Sequence, residues 1–140
     1  MKTHEAAWLL LGQMALADGK ITEEERQMLA DVLTPDDPWD SVDALLVAAA
    51  ETDRETLVQA IEQYADGVFV AARVYLMARI DGEVDPTEQA LYATLVDRFE
   101  VTPDDRAMIE SLAVTLEGDP MAPPPARFVE LYAQSSFAQG

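Results

Sequence analysis

Two short acidic motifs contain the residue types best suited to chemistry in this chain. Asp18 begins the segment DGKITEEE, which ends at Glu25, and Asp81 begins DGEVDPTE, which ends at Glu88, 63 positions later in each case. Both segments read D-G-x-[I/V]-x-x-x-E. Carboxylate oxygens are the ligands that calcium and magnesium prefer in proteins. The candidate metal ligands are therefore Asp18, Glu25, Asp81 and Glu88.

The motif matches only the second half of the calcium loop of an EF-hand. That half has an acidic residue at the fifth loop position, glycine at the sixth, an apolar residue at the eighth and a bidentate glutamate at the twelfth. The first half fails, because Met14 and Leu16 in one copy, and Met77 and Arg79 in the other, stand where oxygen ligands are needed. We therefore expect either two weak half-sites or, if the two turns meet in space, one site with four carboxylates.

The same residue types also have a purely structural explanation. Gly19 and Gly82 can adopt the positive φ that ends a helix. Thr22 and Asp85 stand three residues before the two glutamates, which is the spacing of a capping box at a helix start. Spacing alone is compatible with a metal ligand and with a helix cap.

The helices that must position these turns are arranged as an internal duplication. The segment TPDD follows the first motif at residues 34–37 and the second at residues 102–105. In both places it is typical of a helix start. Pro38 makes the position of the first start ambiguous by a few residues. Helical periodicity predicts helices at 3–18, 22–33, 39–50, 53–64, 66–80, 86–99 and 103–116. The fold class is therefore all-α: a single compact bundle of about seven helices with pseudo-twofold duplication.

The predicted domain organisation is one helical domain followed by a tail. Residues 1–118 form the domain, with repeat copies at about 5–50 and 66–116 and a connecting helix at 53–64. Residues 119–140 form a proline-rich, extended tail, because four prolines lie between positions 119 and 125. Residues 126–134 are amphipathic and are expected to dock on the bundle as a short helix.

Composition excludes several classes of function. The 140 residues include 27 acidic and 9 basic ones, for a formal charge of −18, which disfavours binding to nucleic acids and to anionic lipids. The absence of cysteine excludes thiol chemistry and thiolate zinc sites. With one histidine, a hydrolytic triad is not expected, so we predict that the protein is not an enzyme.

The apolar stretch at residues 6–17 superficially resembles a signal peptide. Glu5 and Gln13 interrupt that pattern, and an equivalent segment recurs in the middle of the chain. No apolar run reaches the roughly 18 residues of a membrane span. We therefore predict a cytoplasmic protein without membrane insertion.

The duplicated motif and its surroundings resemble the TerB-like family, which comprises the tellurite-resistance protein TerB and relatives such as the YebE-type proteins. The resemblance rests on ALADGKITEEERQML at 15–29 and YLMARIDGEVDPTEQALYATL at 75–95, and it extends over roughly residues 5–116. It implies a bundle of about seven helices, a divalent metal at an acidic cluster, and work in stress-response systems with other Ter-type proteins. The implied ligand positions are again Asp18, Glu25, Asp81 and Glu88.

The sequence therefore predicts a non-enzymatic TerB-like module that binds a divalent cation, calcium or magnesium rather than zinc, in a stress-response assembly of the tellurite-resistance type. Its partner would be an unknown protein, either one with a basic surface or another Ter-type protein. The alternative is an acidic protein–protein interaction module without a metal site, which binds a basic partner or mimics the charge of a nucleic acid.

Overall fold

A computed structural model describes residues 1–17, 19–80 and 84–138. These ranges form eight α-helices and contain no strand, so the predicted all-α class is confirmed. The helices are α1 (Thr3–Leu16), α2 (Glu23–Val32), α3 (Val42–Glu51), α4 (Arg54–Gln59), α5 (Tyr64–Arg79), α6 (Pro86–Arg98), α7 (Pro103–Gly118) and α8 (Ala126–Gln134).

Two helices, α1 and α5, form the centre of the bundle and pack against each other. Helices α2, α3 and α4 surround α1, whereas α6, α7 and α8 surround α5. The two halves of the duplicated sequence therefore become two similar groups of helices, with α1, α2 and α3 corresponding to α5, α6 and α7. In the sequence the D-G motifs come directly after the two central helices, since α1 ends at Leu16 and α5 ends at Arg79.

The core is apolar and closely packed along both central helices. Met14 and Met77, which occupy equivalent positions in the two copies, are fully buried. Gly12 allows α1 and α3 to approach closely, because a Cβ atom at this position would lie 2.8 Å from the Cβ of Ala49. This contact fixes how α3 lies on the helix that precedes the first D-G turn.

The TPDD segments behave differently in the two copies. In the second copy the Thr102 hydroxyl accepts a hydrogen bond from the backbone N–H of Asp105 at 3.2 Å, and α7 begins there as predicted. In the first copy residues 34–37 form a turn instead, and α3 begins at Val42 with Ser41 as its N-cap. The first TPDD therefore does not start a helix, and the helix predicted at 39–50 begins three residues later than expected.

The connecting helix is also shorter than predicted. It spans Arg54–Gln59 rather than residues 53–64, and α5 begins two residues earlier than expected, at Tyr64. The N–H of Ala60, the C-cap residue, bonds back to carbonyls of the last turn of α4. The chain therefore passes from α4 to α5 through residues 60–63 without continuous helix.

The C-terminal segment is held on α5 and α7 by two buried carboxylates. Asp66, near the start of α5, accepts hydrogen bonds from the N–H and the hydroxyl of Ser136 at 2.7 and 2.8 Å. Asp105, near the start of α7, pairs with Arg127 of α8. Leu131 of α8 is buried in the common core. Helix α8 and residues 135–137 therefore pack on the bundle.

Among the described residues, no helix is both long enough and apolar enough to cross a membrane.

Candidate functional site

Glu25 is buried at the start of α2, with 2% of its surface exposed. Its Oε1 accepts a hydrogen bond from the backbone N–H of Thr22 at 2.9 Å, and the Thr22 hydroxyl accepts one from the N–H of Glu25 at 3.1 Å. These two bonds form the predicted capping box. One oxygen of this carboxylate therefore has a structural role.

Glu88 has the same arrangement at the start of α6 and is also 2% exposed. Its Oε1 accepts a hydrogen bond from the N–H of Asp85 at 3.1 Å. The Asp85 carboxylate in turn accepts one from the N–H of Thr87 at 2.7 Å, and Pro86 occupies the first turn. The duplication of sequence is thus a duplication of local geometry, with a buried glutamate at the positive end of a helix dipole in each half.

The aspartates of the motif lie outside the described residues. This applies to Asp18 and to Asp81, and also to Gly82. Gly19 is described and has a φ of +78°, and a Cβ atom added to it would meet no other atom within 4 Å. The first turn therefore has the left-handed backbone conformation that the sequence predicts at this glycine.

The described part of the chain contains no group of three or more histidine, aspartate or glutamate side chains that could hold a metal ion. The structure places Glu25 on α2 and Glu88 on α6, each bonded to its own N-cap. The predicted set of four carboxylates includes two residues beyond the described ranges, so their convergence stays a prediction.

Sequence patterns did not reveal how the two buried carboxylates of the TPDD segments are anchored. Asp105 is 4% exposed and accepts hydrogen bonds from Arg127, at 3.1 and 3.2 Å, and from the Tyr64 hydroxyl at 2.5 Å. The Arg127 guanidinium is the main reason why the pKa of Asp105 lies below its usual value, and burial opposes this shift. In the sequence Asp105 stands out only as the last residue of TPDD. Its partners Tyr64 and Arg127 lie 41 and 22 residues away, so no local pattern indicates them.

Asp37, the last residue of the first TPDD, is the second such carboxylate. Its Oδ2 accepts a hydrogen bond from the N–H of Thr34 at 2.8 Å, which closes the turn. Its Oδ1 is buried and lies 3.3 Å from Nε2 of His4, close enough for an ion pair but without hydrogen-bond alignment. Both TPDD segments therefore place a buried carboxylate: Asp37 closes the turn at Thr34, and Asp105 pairs with Arg127 of α8.

The fold and the duplicated turns define a class: an all-helical protein built from two helix–turn–helix halves around a central helix pair. The family model described as "Tellurite resistance protein TerB" matches residues 4–106, which is most of the chain. The protein therefore belongs to the TerB family. The match includes both D-G-x-[I/V]-x-x-x-E motifs and ends within α7. No curated protein and no solved structure matches the chain.

Proposed function

We propose that this TerB-family protein is a non-enzymatic module that binds a divalent cation through its D-G turns, within a stress-response assembly of the tellurite-resistance type. The proposed ligands are Asp18, Glu25, Asp81 and Glu88. The observation that carries the proposal is the equivalent burial of Glu25 and Glu88 in the two halves. Buried carboxylates are usually hydrogen-bonded, paired or bound to a metal, and the capping-box bond of each glutamate is compatible with a cation at the same turn.

Chemistry favours calcium or magnesium over zinc at such turns. The proposed ligands are all carboxylates, which suit hard cations, whereas zinc sites are built mainly from cysteine and histidine. The chain has no cysteine and a single histidine. The formal charge of −18 also raises the local concentration of divalent cations around the protein.

The competing function is an acidic interaction module without a metal. It is favoured by the imbalance of 27 acidic against 9 basic residues, a ratio of three to one. Here Glu25 and Glu88 would act only as helix caps. A partner with a basic surface, or another Ter-type protein, would bind the acidic face.

Calorimetric titration of chelator-stripped protein with calcium, magnesium and zinc separates these two functions. The test variant is Glu25→Gln with Glu88→Gln, because glutamine retains the capping acceptor but removes the charge needed for a hard cation. The matched control is Glu51→Gln with Glu62→Gln, which removes two negative charges from exposed positions. Circular dichroism verifies that both variants keep their helices.

Our proposal predicts saturable binding of calcium or magnesium that is lost in the test variant and kept in the control. One ion per chain would mean a site shared by both turns, and two would mean separate half-sites. If the wild type shows only non-saturating heats, or if the test variant binds like the control, the metal proposal is wrong and the acidic interaction module replaces it.

A further inference from the structure

A cavity of about 390 Å³ lies between α5, α7 and the C-terminal segment. Its walls are mainly apolar and include Leu76 of α5, Leu112 and Leu116 of α7, and Pro124 and Phe128 of the C-terminal segment. This volume falls within the range of small-molecule sites, about 300 to 1,000 Å³. Six of the ten lining residues lie beyond the region that matches the TerB family model, which ends at residue 106, whereas the four on α5 lie within it.

One positive charge faces this apolar space. Arg73 of α5 lines the cavity, and its guanidinium lies 5.3 Å from the centre of the Phe69 ring. Within the described ranges, no carboxylate forms an ion pair or hydrogen bond with Arg73. Burial lowers the pKa of this guanidinium, and nearby Tyr132 opposes the shift. A partly desolvated cation without a counter-charge is costly, so it would gain from an anionic ligand.

The surroundings hold Arg73 in place for such a ligand. Phe69 also contacts the rings of Phe128, Tyr132 and Phe137, at centroid distances of 6.4, 5.3 and 4.6 Å. This aromatic cluster fixes the ring on which the guanidinium lies. A charged group that is held by its neighbours loses little conformational entropy when a ligand binds.

We propose that this cavity binds a small amphipathic monoanion, with an apolar chain against the leucines and a carboxylate on Arg73. The apolar lining favours a ligand with a hydrocarbon chain, and the single guanidinium favours a ligand with one negative charge. The net charge of the protein opposes an anion at long range, but charges farther than about 8 Å are largely screened at physiological ionic strength. Glu117, on the neighbouring stretch of α7, is already bonded to Arg79 at 2.6 and 2.9 Å.

The probe for this proposal is decanoate, titrated calorimetrically into the full chain in the presence of a chelator, so that the outcome does not depend on the metal proposal. Decanol and decyltrimethylammonium serve as neutral and cationic probes of the same chain length. Amide chemical shifts in α5, α7 and α8, measured by two-dimensional NMR, show whether the probe enters this cavity. We expect decanoate to bind at one molecule per chain and at least about tenfold more tightly than decanol.

Two variants and one control locate the binding. Arg73→Met keeps an apolar stem without the charge and should weaken decanoate at least about tenfold while leaving decanol unchanged. Ala122→Phe places a ring at a half-buried wall position and should block both probes without changing any charge. Arg26→Met removes an arginine that pairs with Asp43 and does not line the cavity, and it should bind decanoate like the wild type.

The proposal is overturned if decanoate shows no saturable binding to the wild type. It is also overturned if decanol or decyltrimethylammonium binds as tightly as decanoate, or if Arg73→Met and Ala122→Phe, with helical content intact by circular dichroism, retain wild-type affinity.

Discussion

The proposed metal site would give Glu25 and Glu88 a second role beside the one that the structure shows. Each closes a capping box through one carboxylate oxygen, which stabilises the start of α2 or α6. The same position matches the twelfth residue of a calcium loop, where a glutamate is a bidentate ligand. Glutamine can replace glutamate in a helix cap but not as a bidentate calcium ligand. The Glu→Gln variants therefore distinguish the two roles.

The turn at Gly19 requires a residue without a side chain. Its φ of +78° is strained for any other residue type, although a Cβ would meet nothing within 4 Å. Gly19→Ala should therefore lower the free energy of unfolding by about 1 to 2 kcal/mol, measured by urea denaturation. Gly118→Ala is the matched control, since it also has open space but no positive φ. An equal loss in both variants would contradict this explanation.

Glu100 shows the opposite situation, because a glutamate occupies a position suited to glycine. Its φ is +55°, and the N–H of Val101 bonds to the carbonyl of Val96 at 3.0 Å, which completes a Schellman motif at the end of α6. Glu100→Gly should raise the free energy of unfolding by about 1 kcal/mol.

Glu100→Ala separates backbone strain from charge, since alanine removes the negative charge but keeps the strain. We expect its urea midpoint to stay near that of the wild type. If Glu100→Ala stabilises the protein as much as Glu100→Gly does, charge rather than backbone strain is the cause.

Among the elements, the two TPDD segments show why local sequence predicts one helix start and not the other. In the second copy the N–H of Arg106 donates to the carbonyl of Thr102 at 2.8 Å, in the first turn of α7. The equivalent residue in the first copy is Pro38, which has no N–H and disfavours helical backbone at the residue before it. The chain therefore makes a turn, and α3 starts only at Val42, with Ser41 as its N-cap.

The capping boxes were predictable because all of their partners lie within three residues, and so was the amphipathic α8. The cavity beside Arg73 and the anchoring of Asp105 could not be predicted from the sequence. Arg73 faces residues from α7 and the C-terminal segment, and Asp105 bonds to Tyr64 and Arg127. Such contacts depend on how distant helices pack, which hydrophobic periodicity does not specify.

The docking of α8 should depend on pH through Asp105. Because Arg127 lowers the pKa of Asp105 in the folded state, this carboxylate stabilises the fold above the unfolded value of about 3.9. The stabilisation is lost as the pH falls through the folded-state pKa. Arg127→Met should therefore lose less free energy of unfolding than the wild type between about pH 6 and about pH 3, measured with urea.

Arg54→Met is the control for this pH dependence, since Arg54 donates to the Gln13 amide oxygen rather than to a carboxylate. It should keep the pH dependence of the wild type. If Arg127→Met keeps the full pH dependence of the wild type, the pair of Asp105 with Arg127 does not cause the loss of stability at low pH.

At the scale of the whole molecule, the formal charge of −18 should make stability depend on the cations present. Sodium chloride reduces self-repulsion by screening. At the same ionic strength, calcium or magnesium should raise the free energy of unfolding further through specific binding. The increase is about 2.7 kcal/mol at a hundredfold excess over the dissociation constant. Urea unfolding of the wild type should show this increment, and Glu25→Gln with Glu88→Gln should lack it. Equal increments in both proteins would indicate diffuse attraction alone.

The most direct test of the proposed function is to locate a paramagnetic cation. Manganese binds oxygen ligands as magnesium and calcium do, and it broadens the amide NMR signals of nearby residues. We predict that substoichiometric manganese selectively broadens signals at the starts of α2 and α6, around Thr22 to Glu25 and Asp85 to Glu88, and that magnesium or calcium reverses the effect. Broadening spread evenly over the acidic surface, with these two helix starts no more affected than the rest, would contradict the proposal.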